Sequence, residues 1–118
     1  MKRATVRVVL VRAGEEHKVC QLATGLEAWQ GVVGGMIEAV PVGGFFPKVD
    51  GLRQVDLICN EEGKYLDLPF TLNFGHDVIA GDCFFTGGSD DDGDAQDLTD
   101  AQIAAVQLLL SVPGVVLR

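Results

Sequence analysis

The stretch LEAWQGVVGGMIEAVPV, Leu26 to Val42, changes its periodicity at a glycine pair. Leu26, Trp29 and Val33 fall on one helical stripe, and Thr24 followed by Glu27 has capping-box spacing, so its first half predicts a helix entered at Thr24. Met36 to Val40 follows the period of a strand, with Met36, Glu38 and Val40 on one side and Ile37 and Ala39 on the other. Gly34 supplies a left-handed helix stop, and Gly35 lets the helix end approach the strand. A helix joined this tightly to a strand places both kinds of element in one fold.

The flanking sequence extends this pattern. Thr5 to Val11 is rich in β-branched residues, with Val6, Val8 and Leu10 opposite Arg7, and Val19 to Leu22 is its expected hairpin partner across Ala13 to Glu16. Gln54 to Cys59 alternates, with Val55, Leu57 and Cys59 on one side. Asn60-Glu61-Glu62-Gly63 predicts a type I turn with glycine left-handed, leading into a strand over Lys64 to Leu66. Val78 to Thr86 predicts one strand with a bulge at Gly81. Thr99 and Gln102 form a second capping box, Leu98 and Ile103 a hydrophobic staple, and the helix they open runs to Ser111, before Pro113 and Gly114. The expected fold is α+β: a single small domain, residues 1–118, of about five mostly antiparallel strands with two helices packed on one face.

Length and composition suit such a domain. A chain of 118 residues removes roughly two-thirds of its unfolded surface from water on folding. With 47% hydrophobic and 22% charged residues the composition is that of a globular protein. The net charge of −8 and nine scattered basic residues argue against direct nucleic-acid binding and against a membrane surface. Much of the excess sits in Asp90, Asp91, Asp92, Asp94, Asp97 and Asp100, a local run expected to be a solvated loop. Three widely spaced cysteines, Cys20, Cys59 and Cys83, fit reduced thiols and a cytoplasmic location. The apolar run behind Lys2 and Arg3 spans only Val8 to Val11, too short for an export signal, and no uncharged stretch has the length of a membrane span.

The motifs for chemistry are sparse. With Gly93 at the glycine position of an EF-hand loop, Asp90 and Asp92 fall correctly, but Gly88 and Thr99 replace the first and last carboxylates. No two Cys or His residues have close zinc-ligand spacing. Cys59 and Cys83 lie in apolar strands, where a thiol behaves as a small hydrophobe. A Cys nucleophile paired with His17 or His76 is a further option, but His76 beside Asp77 reads as a turn residue rather than a general base. Neither catalytic residues nor a cofactor are expected. Glu38 stands out as a carboxylate among Met36 and Val40. Two readings are open for it, an exposed charge on the outer sheet face and a partly buried acceptor for a hairpin donor or a ligand. With Asn60, Glu62 and Lys64 it defines the candidate ligand-binding patch. Phe45, Phe46 and Gly43-Gly44 either form an apolar patch that pairs subunits or fold back over the core.

Four stretches in order, VVGGMIEAV from Val32, LICNEEGKYLDLP from Leu57, DVIAGDCFF from Asp77 and DLTDAQI from Asp97, resemble an uncharacterised family of short proteins. That family is a domain of unknown function, common in bacteriophages, plasmids and other mobile elements. After Leu68-Pro69 the family pattern places an asparagine almost at once, whereas here the nearest is Asn73. The Gly43-Gly44 insert with its two phenylalanines is also longer than the pattern. The resemblance implies a phage or mobile-element setting and no particular reaction. Three readings follow. One is a non-enzymatic accessory protein that binds a small, possibly nucleotide-like molecule or a host protein in anti-defence or regulation. The others are an acidic DNA mimic that inhibits a DNA-binding host protein, and a small enzyme of unknown reaction.

Overall fold

Neighbouring residues of a strand face opposite sides of a sheet, and in Thr5–Val11 both sides are apolar: Val6, Val8 and Leu10 on one, Val9 and Val11 on the other, all buried. Such a strand belongs inside a sheet that is covered twice. The computed structural model, which describes residues 4–75 and 77–117, places it there. In chain order the elements are β1 (Thr5–Val11), β2 (Lys18–Ala23), α1 (Leu26–Val33), β3 (Ile37–Pro41), β4 (Asp56–Asn60), β5 (Phe70–Asn73), β6 (Val78–Ala80), β7 (Cys83–Thr86) and α2 (Asp100–Ser111). The main sheet has the order β2-β1-β7-β4-β3 with every neighbouring pair antiparallel, and β5 and β6 form a separate antiparallel pair. The fold is α+β, as the sequence predicts.

The two helices do not share a face of the sheet, and this corrects the expected packing. Val6, Val8, Leu10, Ile58 and Phe84 point to one side and meet Val33 and Trp29 of α1. The Trp29 ring stands edge-on to Phe84, with centroids 5.1 Å apart and planes at 78°. Val9, Val11, Leu57, Cys59, Cys83 and Phe85 point to the other side and meet Val106, Leu109 and Leu110 of α2, together with Leu72 and Ile79 of the small sheet. The sheet centre is therefore buried on both faces, which needs a covering layer on each. Phe45 and Phe46 fold back, their rings 5.7 and 5.8 Å from that of Phe74.

Other local expectations divide between borne out and corrected. The β1–β2 hairpin forms in register from Thr5↔Ala23 to Leu10↔Lys18. Thr99 and Gln102 make the reciprocal capping box at the start of α2. At α1, however, the N-cap is Gly25, with φ 110° and no side-chain cap, rather than Thr24, and Leu26 is exposed instead of lying on the buried stripe. The expected strand Val78 to Thr86 breaks at Gly81, where φ is 90° and the N–H donates to the Pro69 carbonyl at 2.7 Å. The break sends β6 to the small sheet and β7 to the large one. Lys64 to Leu66 forms turns rather than a strand, because both sides of β4 are already taken by β3 and β7. Gly63 is not left-handed. It is required because a Cβ there would lie 2.6 Å from the Ala80 carbonyl oxygen, and the positive φ of this segment, 55°, belongs to Asp67.

Gly34 ends α1 with φ 81° and ψ 22°, and its N–H donates to the Gln30 carbonyl at 2.8 Å. A Cβ at Gly34 would meet nothing within 4 Å, so a substitution there is opposed by backbone conformation alone. Gly34→Val is therefore expected to lower unfolding free energy by about 1–2 kcal/mol. Gly34→Asn, which tolerates the left-handed region, is expected to lower it by less. Urea denaturation of the two variants measures the difference.

Candidate functional site

Glu38 projects from the edge strand β3, directly opposite Cys59 of β4. The Cys59 thiol lies 3.9 Å from the Glu38 carboxylate Oε1 and 3.8 Å from the Glu38 carbonyl, both weak contacts, and the Glu38 side chain is exposed. β4 then ends at Asn60, which is buried. Its Nδ2 donates to the Val33 carbonyl at 3.1 Å, and its Oδ1 accepts from the Glu62 N–H at 2.8 Å. One side chain thus ties the end of α1 to the turn after β4. Gly35 makes room for it, since a Cβ at Gly35 would fall 2.9 Å from Asn60 Nδ2.

Beyond Asn60 the backbone winds through consecutive turns, with Gly63 donating to the Asn60 carbonyl, Leu66 to Glu62 and Leu68 to Gly63. This path carries Lys64 toward β6, where its Nζ donates to Asp77 Oδ1 at 3.0 Å. Between β3, β4, the turn and β6 lies an open cleft of about 80 Å³, lined by Glu38, Asn60, Glu61, Lys64, Asp77 and Ile79 among others. Three carboxylates and one ammonium line it, so the cleft favours a cation or a hydrogen-bond donor. The structure brings Glu38, Asn60 and Lys64 together around it. Glu62 does not line it; its side chain is exposed, and its N–H serves Asn60. Glu61 and Asp77 are the charged members that sequence reasoning missed, Glu61 lying one residue from the expected Glu62. For Asp77 the hint was a carboxylate just before a strand, and the turn after Asn60 brings Lys64 to it.

The two buried thiols, Cys59 and Cys83, are poor nucleophiles. Burial, then the carboxylates of Glu38 and Asp77, push Cys59 up to about 12 against a weaker opposing effect of Lys64. Burial pushes Cys83 up as well, with the nearby Thr71 hydroxyl opposing it. Cys20, on the edge strand β2, is partly exposed. His17 is partly buried, and His76 lies outside the described residues. Asn73, at the end of β5, accepts from the Gly75 N–H at 2.9 Å and so turns the chain toward β6.

The acidic run is exposed at Asp90, Asp91, Asp92 and Asp100, as expected of a solvated loop, and it also hydrogen-bonds within itself. Asp90 Oδ1 accepts from the N–H groups of Asp92 and Asp94 at 3.0 and 2.9 Å, and Ser89 bridges to Ala95. Asp97 Oδ1 accepts from the Arg7 N–H at 2.8 Å, and Asp100 pairs with the Arg7 guanidinium at 3.1 Å. Among the described residues no three His, Cys, Asp or Glu side chains converge as metal ligands, and no helix is long and apolar enough to cross a membrane.

The fold and cleft thus define a small α+β domain with a polar recess between its two sheets. The chain belongs to the family described as Domain of unknown function (DUF3846), whose model matches residues 6–111. No curated protein and no solved structure gives a match.

Asn60→Ala strands a buried carbonyl and a backbone N–H, so unfolding free energy is expected to fall by about 2 kcal/mol, whereas Glu38→Ala leaves the denaturation midpoint nearly unchanged. A thiol reagent on the native protein is expected to modify Cys20 first, with Cys59 and Cys83 protected until unfolding, as mass mapping would show. Because the folded state raises the Cys59 pKa, its contribution to stability is whole below the pKa of an unfolded cysteine, about 8.5, and is lost as pH rises through about 12. Thermal midpoints measured upward from pH 8 are expected to decline, less steeply in Cys59→Ala than in the parent chain.

Proposed function

We propose that this chain is a non-enzymatic binding protein that presents the cleft at Glu38, Asn60 and Lys64 to a compact cationic or donor group, carried by a small molecule or by a host protein. The observation that carries the reading is the cleft itself: an excess of carboxylates around a recess of about 80 Å³, on an exposed edge strand. Ligand pockets for whole drug-sized molecules run to roughly 300–1,000 Å³, so the recess suits an ammonium or guanidinium head group better than a complete nucleotide. Asn60 holds the wall in place, and Glu38 and Asp77 supply the charge.

The protonated Cys59 thiol favours this reading over a small enzyme. The DNA-mimic reading has less support, because Asp90 and Asp97 turn carboxylate oxygens to N–H groups of the chain itself. The motif resemblance supports a bacteriophage, plasmid or mobile-element accessory role, in anti-defence or regulation, and the spaced, unpaired cysteines support a cytoplasmic location.

Backbone NMR titration with guanidinium chloride and ethylammonium chloride, against sodium chloride at equal ionic strength, tests the site. Saturable shifts at Glu38, Gly63 and Lys64 are expected with at least one organic cation. They should weaken several-fold in Glu38→Ala and in Asp77→Asn. Shifts that are absent, or equal in the parent and both variants, would overturn the assignment.

A further inference from the structure

The edge strand β3 leaves part of its backbone unpaired. At one end of the β3–β4 register the Glu61 N–H donates to the Met36 carbonyl at 2.8 Å, and at the other the Val42 N–H donates to the Val55 carbonyl at 3.0 Å. Bonded residues alternate along an antiparallel pair. Met36, Glu38, Val40 and Val42 therefore turn their backbone groups toward β4, and Ile37 and Ala39 turn theirs to the open edge. Among the described residues no group beyond the sheet bonds to the backbone of these two. Side chains alternate between the faces with the same period. Glu38 stands on the face of the cleft, with Glu61, Lys64 and Asp77 around it. Ile37 stands on the face of α1, where with Leu26, Trp29 and Ala95 it helps to wall a recess of about 230 Å³.

We propose that this edge docks an extended segment of another protein, in which Lys or Arg alternates with apolar residues and which adds to the sheet as a strand beside β3. The proposal rests on the reading of the cleft as a cation site and names the carrier of the cation. An added antiparallel strand bonds to Ile37 and Ala39, so the residue opposite Glu38 falls in a non-bonded pair, the closer of the two kinds, with its side chain on the same face. A Lys or Arg there meets Glu38 directly, with Glu61 lining the same cleft. The residues opposite Ile37 and Ala39 point to the α1 face, where Ile37 and its recess favour apolar side chains. Charge chooses among the occupants. A second copy paired through β3 would set Glu38 opposite or diagonal to its own counterpart, like charges on one face of a chain whose net charge is already −8. The other open edge, β2, carries Lys18 and no carboxylate, so a basic strand is directed to β3.

Fluorescence anisotropy and amide hydrogen exchange test the proposal, with an acetylated, amidated peptide of about eight residues, within the usual length of a strand, that alternates Arg with Val. Saturable, salt-sensitive binding is expected, with exchange at the Ile37 and Ala39 amides slowed about tenfold or more and the β2 amides unchanged. A peptide of the same composition with its arginines in one block should bind several-fold more weakly and protect neither amide. Ala39→Pro removes an outward N–H at an exposed edge position, where proline is tolerated. It should abolish peptide binding and leave the ethylammonium shifts at Glu38 and Lys64 intact. Methylating alternate backbone nitrogens of the peptide, which leaves the protein untouched, should abolish binding as well. Ethylammonium shifts without peptide binding, or peptide binding that leaves Ile37 and Ala39 exchanging freely, would overturn the edge pairing while the cleft stands. Edge pairing that Glu38→Ala leaves unweakened would instead overturn the cation reading, and the basic character of the segment with it.

Discussion

Val8 and Val9 on β1, and Phe84 and Phe85 on β7, are adjacent residues that face opposite sides of the sheet, and all four are fully buried. No single layer satisfies that constraint. An apolar face open to water loses the transfer free energy of each side chain on it, on the order of 1.5–3 kcal/mol for a Val or Phe, so the sheet centre requires cover on both sides. The short helix α1 covers one side through Trp29 and Val33. The other side is larger and takes α2, the β5–β6 pair and the Phe45-Phe46 loop together. The edge strands β2 and β3 need less cover and carry the exposed polar residues.

The candidate cleft follows from how the second layer is attached. At Gly81 the chain leaves the small sheet and enters the large one, so β6 and β4 diverge and a recess opens between them. Asn60 stands at the head of that recess. Its amide spans the end of α1 and the turn after β4, which makes it a structural wall rather than a free recognition group. The charged groups that face the recess are Glu38, Glu61 and the Lys64–Asp77 pair. The frame that holds these charges is the glycine-dependent close packing of Gly35 on Asn60 and of Gly63 on Ala80.

Charge is distributed unevenly over the molecule. The aspartate run folds on itself around Asp90 and docks on β1 through Arg7, so part of the acidic excess is spent on holding the strand-to-helix connection. The α2 region has no charge after its first residue, Asp100. The carboxylate-lined cleft lies beside the β3 edge, and the uncharged surface lies along α2.

Features set by neighbours in sequence were legible without the structure. Gly34 as the left-handed stop, the Thr99–Gln102 capping box, the β1–β2 hairpin, and the shared face of Val55, Leu57 and Cys59 depend on local backbone geometry or on strand period. The candidate patch was legible in part, since Glu38 and Asn60 flank the paired strands β3 and β4, but Asp77 was not. Periodicity reports which side of an element is apolar and not which element will cover it. α2 is nearly apolar all round, so its sequence names no preferred face, and the side of the sheet it covers was settled by α1 occupying the other. The placement of β1 beside β7, the break at Gly81 and the Lys64–Asp77 pair likewise join segments far apart in the chain. Those contacts arise only when burial of both sheet faces selects one arrangement among many with the same local preferences.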